Sequence, residues 1–217
     1  MNKLLNNKSF WKQLGIFLIG CLILSFGITL ATKANLGVAV YDAFVLNLSI
    51  ISNTTYGTVS IFMGLFLVTC QFILTRRWDI SYVIQMVIML TFSVILDFLM
   101  YGVFASLSAN TLFMQVVFFI VANIIICIGI AMVLSSKLQT FPLESTMNVV
   151  YDKFGFSMGK IKYGADAAWL VLNIVLAFVC SLKDINIGLG TVVMFATQGW
   201  LINFFFERLT NALYGNS

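Results

Sequence analysis

Leu138-Gln139-Thr140-Phe141-Pro142-Leu143-Glu144-Ser145-Thr146 holds the only proline of the chain and reads as a loop, a cap and a helix start. Pro142 suits a first helical turn, whose N–H groups lack partners, and Thr140 is placed to cap that turn. An offset of 102 residues leads back to Leu36-Gly37-Val38-Ala39-Val40-Tyr41-Asp42-Ala43-Phe44. There Gly37 gives the loop its freedom and Asp42 stands in the place of Glu144. Each stretch opens a short apolar segment, about 38–51 and about 141–154, and at roughly 14 residues neither crosses a bilayer comfortably. Both are expected to be re-entrant or broken helices.

Working outward, six longer apolar segments flank them, at about 13–32, 57–75, 80–102, 112–134, 163–182 and 187–206. Apolar residues make up 61% of the chain and charged residues 9%, far from the usual quarter charged content of soluble domains. Water is therefore not the main solvent, and 217 residues suffice for about six to eight crossings of roughly 20 residues. Lys3, Lys8 and Lys12 precede the run Gln13 to Thr32. The length of that run and the lack of an A-x-A site favour a retained first span over a signal peptide. The net charge of +4 reads as topology, so no nucleic-acid partner is expected.

The two halves align without a gap over some fifty residues. Gly27 and Ile28 fall on Gly129 and Ile130, Leu36 on Leu138, Asp42 on Glu144, Gly57 on Gly159, and Leu74 on Leu176. In the last span of each half Asp97 lies over Asn203 after a shift of four residues. This reads as an ancient duplication. If the short segments crossed, the basic residues would divide seven to five between the two sides. If they are re-entrant, only Lys33 and Lys183 lie outside against ten basic residues inside, which the positive-inside rule favours. The expected fold is an all-α polytopic membrane protein of two inverted three-span repeats, with six long spans and two half-helices. The repeats cover residues 13–102 and 112–206 of a single membrane domain, 1–217, and both ends, 1–12 and 207–217, are cytoplasmic.

A half-helix that begins inside the membrane aims unpaired N–H groups and a positive dipole end at the midplane. Irregular backbone is tolerated there only where it lines a cavity or is buried in protein. Asp42 and Glu144 sit in the first turn of each half-helix, where they could bind a cation or a substrate amine, or carry a proton. The plainer reading is that each offsets the dipole of its own helix. Asp97 and Asn203 could line the same cavity or make structural hydrogen bonds between helices. Asp166 is expected to form an interfacial ion pair with Lys160 or Lys162.

Other patterns lead elsewhere. The chain has no histidine, which excludes imidazole relays and His-ligated metals. Cys21, Cys70, Cys127 and Cys180 lie in apolar runs without CxxC spacing and read as small core residues. Gly188, Gly190 and Thr191 lack the lysine and strand of a phosphate loop, so close helix packing is their expected role. Trp11, Trp78 and Trp200 fit interfacial belts. No nucleophile-and-base set, metal motif or cofactor box is visible, so neither an enzyme nor a bound cofactor is expected.

The stretch Gly27 to Ser49, with Ala34-Asn35-Leu36-Gly37-Val38 and Tyr41-Asp42-Ala43, resembles the beginning of the bacterial YczE, YyaS and YitT-like integral membrane proteins. Tyr56-Gly57-Thr58 and Gly188-Leu189-Gly190-Thr191, followed by Gly199 and Asn203, extend the likeness over nearly the whole chain. With no folded cytosolic domain expected after the last span, the chain looks more like the YczE branch than the longer YitT proteins. It departs from the pattern at Asp79 to Gln85, where Gly-x-Gly-Thr is usual, and at Tyr41, where relatives often carry Trp. The resemblance implies a bacterial cytoplasmic membrane location and carries over no substrate or catalytic residue. The expectation is a small-solute or ion transporter with a central site between the halves, or else a membrane accessory or regulatory protein. Expected partners are the lipid bilayer, a small molecule or ion, and a second copy in a homo-oligomer.

Overall fold

The computed structural model describes residues 8–182 and 185–215, and every regular element among them is helical. The helices are α1 (Lys8–Ala34), α2 (Val40–Ser52), α3 (Tyr56–Thr75) and α4 (Ile80–Asp97). They are followed by α5 (Leu112–Ser135), α6 (Pro142–Phe154), α7 (Met158–Cys180) and α8 (Leu189–Tyr214). After Asp97 the fourth helix continues as a π-helical turn, Phe98–Val103. Six helices, all but α2 and α6, are long and apolar enough to cross a membrane. The protein is a multi-pass membrane protein.

Adding 102 to the bounds of α2 gives the bounds of α6, and adding it to the start of α3 gives the start of α7. The centre of the bundle is the antiparallel pair α1 and α5. Gly20 meets Val133, Gly27 meets Ile126 and Gly129 meets Leu24, pairs whose numbers all sum to 153. A Cβ on Gly129 would stand 2.7 Å from the backbone N and Cα of Leu24, and one on Gly27 would stand 2.9 Å from Ile126 N. Small residues let two backbones approach this closely where lipid supplies no hydrophobic drive between helices. The offset of 102 relates Gly27 to Gly129 and Leu24 to Ile126, so the crossing uses one kind of contact twice.

The described chain ends lie together. Lys12 donates to the Leu213 carbonyl, and the Lys12 and Lys137 ammoniums stand 5.1 Å and 4.1 Å from the Tyr214 ring centroid. This side is called the terminal face. At the opposite, far face Lys33 donates to the Ala105 carbonyl at 3.2 Å. It is the one described basic side chain at that face, and Lys3 and Lys183 lie outside the described residues.

The short helices begin at mid-depth. Pro142 lies beside Gly64, halfway along α3. From there α6 runs parallel to α3, with Thr146 against the Leu67 carbonyl and Lys153 against that of Leu74, to end at the terminal face. In the other half, α2 starts beside Asn173 and Trp169 of α7 and runs outward along it to the far face.

Several expectations are corrected. Thr140 is not the cap: the N-cap position of α6 is Phe141, which makes no side-chain cap bond. The residue before a proline is held extended, so the helix boundary falls at Phe141 (φ −63°, ψ 159°), and the Thr140 hydroxyl pairs instead with that of Ser145 at 2.9 Å. Helices α1 and α8 extend past the apolar segments, to Lys8 and Tyr214. Cys21 and Cys127 are core residues, whereas Cys180 is exposed. Gly188 packs on the loop Leu36–Gly37, and Gly190 fits between that loop and Phe119 of α5, so the expected helix packing holds for Gly190 and not for Gly188. The Gly190 N–H donates to the Leu36 carbonyl at 2.8 Å, and Thr191 Oγ1 donates to that of Val38 at 2.7 Å. Gly37 takes a φ of +100°, and a Cβ there would meet Gly188 N at 2.5 Å, so only glycine fits the seam.

Candidate functional site

Ala39 and Phe141 are the N-cap residues of α2 and α6, both extended and neither capping with its side chain. Three residues on, Asp42 and Glu144 occupy the same place in the first turn of each short helix, where a carboxylate is favoured by the dipole. Beyond that the two differ. The Tyr56 hydroxyl donates to Asp42 Oδ1 at 2.7 Å. Glu144 Oε2 is buried and receives no hydrogen bond, and the residue 102 positions after Tyr56 is Met158, whose side chain has no donor.

Both carboxylates line one cavity of about 300 Å³. Much of its wall is apolar, from Leu24 and Ile28 of α1, from Ile126 and Ile130 of α5 at the offset of 102, and from Met89, Phe92 and Trp169. The polar groups are Asp42, Glu144, Tyr41, Tyr56, Ser60, Thr140, Gln198 and the pair Lys162 and Asp166. Lys162 Nζ lies 3.0 Å from Asp166 Oδ2, so the expected ion pair is present, on the cavity wall. Three carboxylates against one ammonium give the ionised cavity an excess of negative charge, and in a low-dielectric enclosure such an excess attracts cations strongly.

Each short helix is braced by the opposite half. Gln71 of α3 is buried, exchanges two hydrogen bonds with Gln85 of α4, and donates to the carbonyl of Pro142 at 3.2 Å. Asn173 of α7, also fully buried, donates to the carbonyl of Val40 at 3.1 Å and accepts from Asn47 Nδ2 at 2.8 Å. Gln71 and Asn173 are mates at the offset of 102, and so are Val40 and Pro142, the first residues of α2 and α6. Around the braces Trp169 packs on Tyr41 and Phe44, with ring centroids 5.2 Å apart in both pairs.

Of the residues expected at the site, the structure brings Asp42, Glu144, Thr140 and Pro142 to the cavity wall. Gly37 lies in the loop leading to it. Asp97 lies elsewhere: its Oδ1 accepts the Gly57 N–H at 2.7 Å, a hydrogen bond between α3 and α4. Asn203 is exposed on α8, while its neighbours Gln198 and Ile202 face the cavity. Sequence reasoning missed Tyr56, the cavity position of the Lys162 and Asp166 pair, and both braces. The Gln71 and Asn173 match was visible in the gap-free alignment of the halves.

Residues 11–207 match the sequence profile of DUF6198, a family of unknown function. The chain belongs to the DUF6198 family. This DUF6198 member is similar to the uncharacterized protein YyaS of Bacillus subtilis (strain 168), with 26% identity over 187 residues that cover 86% of this chain and 89% of YyaS. It is also similar to the uncharacterized membrane protein YczE of the same organism, with 25% identity over 190 residues that cover 87% of this chain and 82% of YczE. The resemblance read from the Gly27 to Ser49 stretch is thereby borne out. No solved structure matches the DUF6198 chain.

Proposed function

We propose that this protein is a transporter of a small cationic solute or ion, built from two inverted repeats whose short helices meet at a central binding site. The observation that carries this reading is Glu144. Its buried Oε2 lacks a donor, in a cavity that already holds the first-turn carboxylate of the other short helix, and an ammonium or a bound cation would supply what is missing. Antiparallel mates at the α1 and α5 crossing and braces that cross between halves support the inverted arrangement, and such folds bind substrates where broken helices start. The terminal face, with nearly all described basic residues, is assigned to the cytoplasm. In this reading the protein performs no covalent chemistry.

The test is thermal unfolding of the purified protein with sodium, potassium, a primary alkylamine, a guanidinium compound, a neutral amino acid and a sugar. A probe at 100 times its dissociation constant stabilises the fold by about 2.7 kcal/mol. We expect a saturable shift for a cation that is lost in the Asp42→Asn, Glu144→Gln double variant, followed by flux of that probe into proteoliposomes. If no cation shifts the transition, or the double variant responds as the parent does, the carboxylates are structural. A membrane accessory role then becomes the better reading, favoured by α7 and α8, whose spans are only 11% and 17% buried.

A further inference from the structure

Helices α7 and α8 stand in the second half where α3 and α4 stand in the first, and the contacts within the two pairs differ. In the first half α3 closes on α4 toward the far face. Gly57 is buried, its N–H donates to Asp97 Oδ1, and a Cβ placed on it would stand 2.6 Å from Asp97 Oδ2 and from the Ser93 carbonyl oxygen. Beside it, Tyr56 N donates to the Tyr101 hydroxyl at 3.1 Å. Buried Leu96 and Met100 complete the seal.

The mate of Gly57 is Gly159, and Asn203 lies over Asp97 after the shift of four residues, one helical turn beyond the position set by the offset of 102. Gly159 and Asn203 are exposed, and nothing lies within 4 Å of a Cβ placed on Gly159. Gly159 is in the first turn of α7, where backbone N–H groups have no partner within the helix. Helices α7 and α8 meet through the rings of Tyr163 and Phe195, 5.3 Å apart, and nothing lies within 4 Å of a Cβ placed on Gly164 of α7 or Gly199 of α8. The side chain of Lys162, a wall residue of the cavity, is 48% exposed.

We infer that these joints are alternating gates, the structure being the state sealed at the far face and open at the terminal face. When the halves exchange conformations, Asn203 Oδ1 accepts the Gly159 N–H and closes α7 on α8, while Gly57 leaves Asp97 and α3 parts from α4. The inference rests on the solute-binding reading above for its purpose, though not for its geometry. The braces set what moves together: α2 is held to α7 through Asn173, and α6 to α3 through Gln71. Glu144 therefore rides with the gate of the first half. Asp42 is held to α7 by the brace and to α3 by the Tyr56 hydroxyl, a bond that must break if α2 is to move with the second half, so a solute bridging the two carboxylates touches both moving parts. A bond to a carboxylate is stronger than one to an amide, which favours the state seen here at rest.

The test is pulsed-EPR distance measurement in the full chain with its four cysteines replaced. One label pair spans the terminal joint (Lys160→Cys with Arg208→Cys) and the other the far joint (Asn53→Cys with Ser106→Cys), all four positions being exposed. Asp97→Ala removes the far latch, Gly57→Ala wedges it, and Asn203→Asp strengthens the terminal latch from an exposed position that does not threaten folding. Each is expected to shorten the terminal distance and lengthen the far one together, by about 5 Å, the scale of interface ratchets. Static distances in Asn203→Asp and in whichever far-joint variants fold, or movement of one pair without the other, would overturn the inference. Reciprocal movement without any cation-induced stabilisation would keep the gates and remove the solute reading. Cation-induced stabilisation with both pairs static would do the reverse.

Discussion

Gly129→Ala tests the close crossing of α1 and α5. The added methyl would stand 2.7 Å from both N and Cα of Leu24, main-chain atoms that cannot rotate away, so α1 and α5 must separate. Overpacking of this kind costs about 1–3 kcal/mol, and the immobility of the neighbours puts this site at the upper end. Replacing a helical glycine by alanine returns up to about 1 kcal/mol of propensity. The net loss is about 2 kcal/mol, or roughly 4–8 °C in the unfolding midpoint of a chain this size. Gly27→Ala should cost a similar amount. The double variant should lose less than the sum, because one separation of the helices relieves both contacts. Gly164→Ala and Gly199→Ala are the controls: nothing lies within 4 Å of either added methyl, so each should leave the midpoint unchanged or raise it. Thermal unfolding in one detergent decides the matter, and a Gly129→Ala protein that melts at or above the parent would refute the crossing described here.

Three further outcomes are expected. Gln71→Ala and Asn173→Ala each remove a brace, and at about 0.6 kcal/mol for an interhelical bond in a membrane each should lower stability by about 1–2 kcal/mol, read from urea or thermal midpoints; no loss in either would show the braces to be idle. Tyr56→Phe leaves the Asp42 carboxylate without its donor at a cost of about 1–3 kcal/mol, and a saturating amine probe should narrow the gap to the parent by taking the place of the hydroxyl; a gap that the probe leaves untouched counts against Asp42 as a cation contact. Ala39→Ser supplies the missing cap of α2 and should raise stability by about 1 kcal/mol; a lower midpoint would mean that the start of α2 has no room for the bond.

What could be read from the sequence follows from what lipid constrains. The short helices were legible because Pro142, the Asp42 and Glu144 match and the absence of a gap between halves are local facts, and their limits in the structure lie within a residue or two of those expected. The faces of the long helices were not. A span is apolar all round, so nothing in its periodicity says that Tyr56 turns toward Asp42, or that Lys162 and Asp166 face a cavity rather than the membrane interface. The Thr140 cap failed by one residue because the constraint that proline places on Phe141 outweighs the preference of a hydroxyl for the cap position. Asp97 and Asn203 align only after a shift of four residues and sit in unlike surroundings: Asp97 accepts the Gly57 N–H, whereas Asn203 is exposed on α8.

The crossed braces also set an order of assembly during synthesis. The amide that holds the start of α2 belongs to Asn173, 133 residues after Val40. At about 5–20 residues per second, the ribosome takes roughly 7–27 s to make it. The amide that holds α6 belongs to Gln71, already in the bilayer when Pro142 emerges. The second half therefore docks onto a waiting partner, while α2 stays unbraced until translation is nearly complete.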